Sequence, residues 1–125
     1  MRILCVDDDR LVLAVTADLI RSMGHDVIEA RGGREGAKAL RENSSIEVLI
    51  TDIGMPDDLS GIELARYARE ALPNVKIIFF SGLDFDPGDL NARLLRKPCT
   101  LRELRQAIAG VAPAKSLAPC QGPAC

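Results

Sequence analysis

The stretch that decides the fold runs from Val48 to Gly61, VLITDIGMPDDLSG. Its first four residues are apolar or β-branched and lead straight into one acid, Asp52, after which Pro56 and Gly61 mark a loop. A short apolar run bounded by turn residues reads as a buried parallel strand, so Asp52 falls at that strand's carboxyl end. Open α/β sheets place their chemistry just outside those ends. A carboxylate there can serve as a nucleophile or a metal ligand, or it can merely cap the loop that follows.

Working outward, the same pattern repeats on either side. Ile3 to Val6 is a short apolar strand that ends on Asp7, Asp8 and Asp9. From Arg10 the apolar residues Leu11, Val12, Val15, Leu19, Ile20 and Met23 recur at three and four residues, which predicts a helix with that face buried, stopped by Gly24. Val27 and Ile28 make a second strand. Gly32, Gly33 and Gly36 loosen the entry to a short helix carrying Ala37 and Leu40, and Asn43, Ser44 and Ser45 end it. After the central strand, a third helix from about Gly61 to Leu72 turns Ile62, Ala65, Ala68 and Leu72 inward, and Pro73 and Asn74 break it. Val75 to Phe80 is a fourth strand ending at Ser81 and Gly82, and Leu94 and Leu95 form a fifth ending at Lys97 and Pro98. Thr100 and Glu103 make a capping box for a last helix with Leu101, Leu104, Ile108 and Val111 on one face. The final segment, 113–125, has three prolines and no periodicity and reads as a disordered tail behind a domain of residues 1–112.

Strands alternating with helices mean a parallel sheet covered on both faces. The expected fold is therefore α/β, a doubly wound five-stranded parallel sheet in flavodoxin-like order 2-1-3-4-5, with its crevice above the first and third strands. At 125 residues the chain fits one domain. A net charge of -2 with Lys and Arg scattered along helices offers no footprint for nucleic acid. No apolar run reaches membrane-spanning length, and three acids follow the first six residues where a secretory signal would still be apolar, so a cytoplasmic protein without a membrane partner is expected. Cys5, Cys99, Cys120 and Cys125 show neither metal-pair spacing nor a small disulfide framework and read as free thiols.

Four strand ends now converge on one crevice: Asp7 and Asp8 after the first, Asp52 after the third, Ser81 after the fourth and Lys97 after the fifth. Carboxylates crowded together repel unless a cation or protons lie between them. Mg²⁺, a hard ion suited to carboxylate and water, is the expected one. A metal, an ammonium and a hydroxyl facing one carboxylate are what a transferring phosphoryl group needs, with Asp52 as the attacking oxygen.

With VDDD at Val6, TDIGMP around Asp52, FFSG at Ser81 and RKP at Lys97, the sequence resembles the receiver domains of bacterial two-component response regulators, the CheY-like family. The resemblance covers Met1 to about Val111. It implies that Asp52 accepts a phosphoryl group from a phosphohistidine on a histidine kinase or phosphotransfer protein, and that the protein signals to a downstream protein target or relays the group onward. It also implies that Asp7, Asp8 and Asp52 hold Mg²⁺ with the backbone carbonyl of Gly54, that Ser81 is the switch hydroxyl, and that Lys97 contacts the phosphoryl group. Asp9 matches no ligand position and is assigned to the start of the first helix, where a negative charge is favoured. Three features depart from the family pattern. Leu94 stands where an aromatic residue is usual, and the MPDDLSG loop carries one extra residue. The interval from Ser81 to Lys97 is shorter by roughly one and a half helical turns. Its Asp, Pro and Gly content predicts a helix between the fourth and fifth strands that is short or absent.

Two other readings fit parts of the pattern. A small aspartyl-phosphate phosphatase commonly has a second acid two residues past its nucleophile, where this chain has Gly54. A pseudo-receiver, an interaction module with dead chemistry, would not need Asp7, Asp8, Asp52, Ser81 and Lys97 together. The expected protein is thus not an enzyme toward other molecules and catalyses only its own phosphorylation and dephosphorylation.

Overall fold

A computed structural model describes residues 1–53, 59–81, 92–96 and 101–111. Five strands, β1 (Arg2–Val6), β2 (Asp26–Ala30), β3 (Val48–Asp52), β4 (Lys76–Ser81) and β5 (Arg93–Arg96), form one sheet in the order β2-β1-β3-β4-β5. Every neighbouring pair is parallel. The helices are α1 (Arg10–Ser22), α2 (Gly33–Glu42), α3 (Gly61–Ala71) and α4 (Leu101–Val111). The expected order and layering are thus observed. The expected short helix between β4 and β5, the cap at Thr100 and the tail lie outside the described residues.

Side-chain alternation along the strands divides the core into two layers. Leu4, Val6, Leu49, Ile77 and Phe79 face α2 and α3, where Leu40, Leu64, Ala65 and Ala68 meet them. Ile3, Val48, Ile50, Ile78, Phe80 and Leu95 face the other way, onto Ile20 of α1 and onto Leu104, Ala107 and Ile108 of α4. Past their first residues, the central strands β1, β3 and β4 are almost entirely buried because both their faces are covered, which is why they read as continuous apolar runs, whereas the edge strand β2 keeps Asp26 and Glu29 exposed.

Helix α1 keeps the C-terminal part of the predicted face, with Ile20 buried and Leu19 and Met23 packed against the core, and departs from it in its first half. Leu11 is 73% exposed and Val15 51% exposed, and the buried stripe is Leu13, Thr16, Ala17 and Ile20. The small Ala17 and Thr16 let the helix axis approach the sheet, so the helix presents these residues and turns Leu11 and Val15 to solvent. It closes at Met23, followed by Gly24 at φ 93°, a left-handed conformation that glycine adopts without penalty.

Helix α2 also differs, because Gly33 and Gly36 lie inside it instead of loosening its entry. A side chain at Gly33 would overlap the backbone of Leu59, and one at Gly36 would come within 2.9 Å of Leu64 Cδ2. These glycines are the close-approach points through which α2 meets α3 and the loop before it. Helix α3 begins with a capping box that the sequence reading placed only at the last helix. Ser60 Oγ accepts the Glu63 amide at 3.2 Å while the Glu63 carboxylate accepts the Ser60 amide at 3.1 Å.

Candidate phosphoacceptor and metal site

Strand register brings the carboxyl ends of β1 and β3 side by side. Val6 pairs with Thr51, so the chain leaves both strands at the same level, with Asp7 next on one and Asp52 next on the other. Helices on either side of this point run to opposite faces of the sheet, α1 to one and α3 to the other, which leaves an open crevice at the switch point.

Local hydrogen bonds set each acid. The Asp7 amide donates to the Ala30 carbonyl at 3.1 Å, extending the β1–β2 ladder by one residue, and Asp7 itself is only 2% exposed. Its Oδ1 accepts the Asp9 amide at 2.9 Å. Asp9 is the N-cap of α1, and its Oδ1 accepts the amides of Leu11 at 3.0 Å and Val12 at 3.2 Å. Asp9 is therefore occupied with the helix end, in agreement with its assignment from sequence. Asp8 lies exposed between them. Asp52, half-buried at the end of β3, completes the group.

Carboxylate oxygens of Asp7, Asp8 and Asp52 lie within 4.8 Å of one another. One hard divalent ion bonded to all three at ordinary carboxylate distances of about 2–2.5 Å would span such a triangle. Among the described residues this is the group of acids placed to hold a metal. Ser81 closes β4 with its backbone paired to Arg96, one residue beyond the Asp52–Phe80 pair, so its main chain stands at the same end of the sheet. Lys97, the residue after Arg96, and Gly54 lie outside the described residues. Leu94 is half-buried against the α2–α3 layer, paired with Phe79.

Two features of the site were not read from the sequence. Thr51, fully buried, donates its hydroxyl to the Asp52 carbonyl at 2.9 Å. Gly61 lies so close to that same carbonyl that any side chain on it would overlap Asp52. A threonine in a strand and a glycine in a loop carry no local signal for such contacts, although a glycine at the first turn of a helix is itself unusual enough to question.

Residues 3–109 match the response regulator receiver domain family, and the chain belongs to it. It is a phosphoacceptor-type receiver of two-component signalling. The chain is 36% identical over 111 residues to the response regulator receiver protein CpdR of Brucella abortus, covering 82% of this chain and 89% of that protein. It is 30% identical over 109 residues to the sensor kinase CckA of the same organism, of which it spans 11%. A receiver from Thermotoga maritima, TrrA, crystallised in complex with Mg²⁺–BeF, superposes with a TM-score of 0.79 at 26% identity, covering 89% of this chain and 98% of that one. Receiver domains act with histidine kinases or phosphotransfer proteins and generally use Mg²⁺. Among the described residues no helix is long and apolar enough to cross a membrane.

Proposed function

We propose that Asp52 is the phosphoacceptor and that it takes its phosphoryl group from a phosphohistidine on a histidine kinase or a histidine phosphotransfer protein. The observation that carries this reading is the triangle of Asp7, Asp8 and Asp52 at the switch point, with carboxylate oxygens within 4.8 Å. In the transfer, an Asp52 carboxylate oxygen forms a P–O bond while the P–N bond to the donor imidazole breaks, and the departing nitrogen keeps the bonding electron pair. Asp7, Asp8 and Asp52, with the Gly54 carbonyl, would hold Mg²⁺, which when bound supplies positive charge to the phosphoryl oxygens. Lys97 adds a second cation, and the Ser81 hydroxyl donates a hydrogen bond to the transferred group. The Mg²⁺–BeF complex of TrrA supports the metal dependence by similarity.

The domain runs over residues 1–112, with 113–125 as a tail, and the protein works in the cytoplasm without binding nucleic acid or membrane. It is no enzyme toward other molecules: Gly54 supplies no acid for a phosphatase cycle. Output passes to a downstream protein by conformational change, or the group is relayed onward. The test is labelling by acetyl phosphate or a phosphorylated kinase, followed by intact mass. The wild type gains one phosphoryl group only with a divalent ion present, and Asp52→Asn gains none. Full labelling of Asp52→Asn at another residue would overturn the assignment.

A further inference from the structure

The peptide that follows Asp52 is clasped from two sides. On one side the Thr51 hydroxyl donates to the Asp52 carbonyl oxygen at 2.9 Å. On the other, the first residue of α3, Gly61, lies against the same carbonyl with Ile53 Cα also in the way of any Cβ, at 2.9 Å. The Gly61 amide also donates to the Ile53 carbonyl at 3.0 Å, which ties the next peptide to the start of the helix. Thr51 is fully buried, and strand alternation places it on the α2–α3 face, opposite to Asp52. Its hydroxyl therefore sits in an apolar layer beside Val6 and Phe79, its strand partners, at a position where valine would fill the same volume. A buried hydroxyl needs a partner, and here the partner is the carbonyl of the acceptor residue itself.

We infer that Thr51 and Gly61 are positioning residues for phosphoryl transfer, fixing the Asp52–Ile53 peptide plane and so the direction in which the Asp52 carboxylate faces the donor. The inference rests on Asp52 being the acceptor. The plane of that peptide sets ψ of Asp52, and an in-line attack tolerates little error in the aim of the nucleophile. Neither residue touches the phosphoryl group; both act through the main chain of Asp52.

Thr51→Val removes the hydroxyl and keeps the shape, whereas Thr51→Ser keeps the hydroxyl and removes a methyl. Phosphorylation of Asp52 by acetyl phosphate at saturating Mg²⁺ should slow by about tenfold in Thr51→Val and stay within about twofold of the wild type in Thr51→Ser. A purely structural role predicts the reverse order, because serine leaves a small cavity and valine does not. The Mg²⁺ dissociation constant, read by calorimetry, should change less than the rate. A wild-type rate in Thr51→Val, or an equal loss in Thr51→Ser, overturns the inference. If Thr51→Val does not fold, Thr51→Ala is compared with Thr51→Ser on the same readout, with the same two outcomes deciding. A wild type that does not label at Asp52 would instead overturn the acceptor assignment, so the two failures are distinct.

Discussion

Replacing Asp8 by Asn should stabilise the metal-free protein and destabilise it relative to wild type once Mg²⁺ is added. The argument starts from distance. Asp7, Asp8 and Asp52 form three like-charged pairs with oxygens within 4.8 Å, and Asp8 belongs to two of them. Because Asp8 is exposed, a water-like dielectric applies, and each pair at that separation repels by about 0.9 kcal/mol before screening. Physiological salt, with a Debye length of about 8 Å, reduces this to roughly 0.5 kcal/mol per pair. Asp8→Asn thus relieves about 1 kcal/mol, offset in part by lost attraction to the nearby N-terminus of α1, which contributes about 0.3 kcal/mol or more. A net gain of about half a kcal/mol raises the melting temperature by about 2 °C in EDTA. With Mg²⁺ at tenfold its dissociation constant, the wild type gains about 1.4 kcal/mol, and the variant, short of one ligand, gains less. The two melting curves should therefore exchange order between EDTA and Mg²⁺. Scanning calorimetry reads this directly. An Asp8→Asn protein that melts below wild type in EDTA, or one whose Mg²⁺ shift equals that of wild type, would refute the reasoning.

Other perturbations separate the scaffold from the site. Leu64 is fully buried against Gly36 and Val6, so Leu64→Ala should cost about 3 kcal/mol by urea titration, and a loss under about 1 kcal/mol would mean that α3 does not pack as described. The His25 imidazole is held below its ordinary pKa by burial and by the Met1 ammonium, 3.0 Å from its Nδ1, while Glu47 and Asp26 act the other way. A lowered folded-state pKa means that the His25 contribution is full above the ordinary value and is lost as pH falls through the folded one. The fall in melting temperature on going from about pH 7 to 5 should therefore be shallower in His25→Gln, and identical slopes would remove His25 from the account. Beryllofluoride with Mg²⁺ should raise amide protection between Ser81 and Leu94, with a smaller gain in Ser81→Ala. Protection confined to the metal ligands and Lys97 would favour a relay over a conformational output.

The alternation of apolar strands with helices, four of the five strands closing on Asp, Ser or Lys, was enough to determine the sheet order and the meeting of Asp7, Asp8 and Asp52. Both follow from local rules: a run of apolar residues says that a strand is covered on both faces, and right-handed crossovers then leave few orders for five strands. Asp9 was likewise legible, because an N-cap is a contact between near neighbours. What tertiary structure alone decided concerns contacts across the chain. Periodicity marked α1 as amphipathic and put Leu19, Ile20 and Met23 on its inner side, as observed, but placed Leu11 and Val15 there as well. The sheet selects the stripe of Leu13, Thr16, Ala17 and Ile20, because the depth of approach depends on the surface opposite. Gly33 and Gly36 read as loose joints until Leu59 and Leu64 are brought against them. The same holds for Thr51 and Gly61, whose shared contact with the Asp52 carbonyl joins residues ten positions apart, a closeness in space that no local sequence pattern encodes.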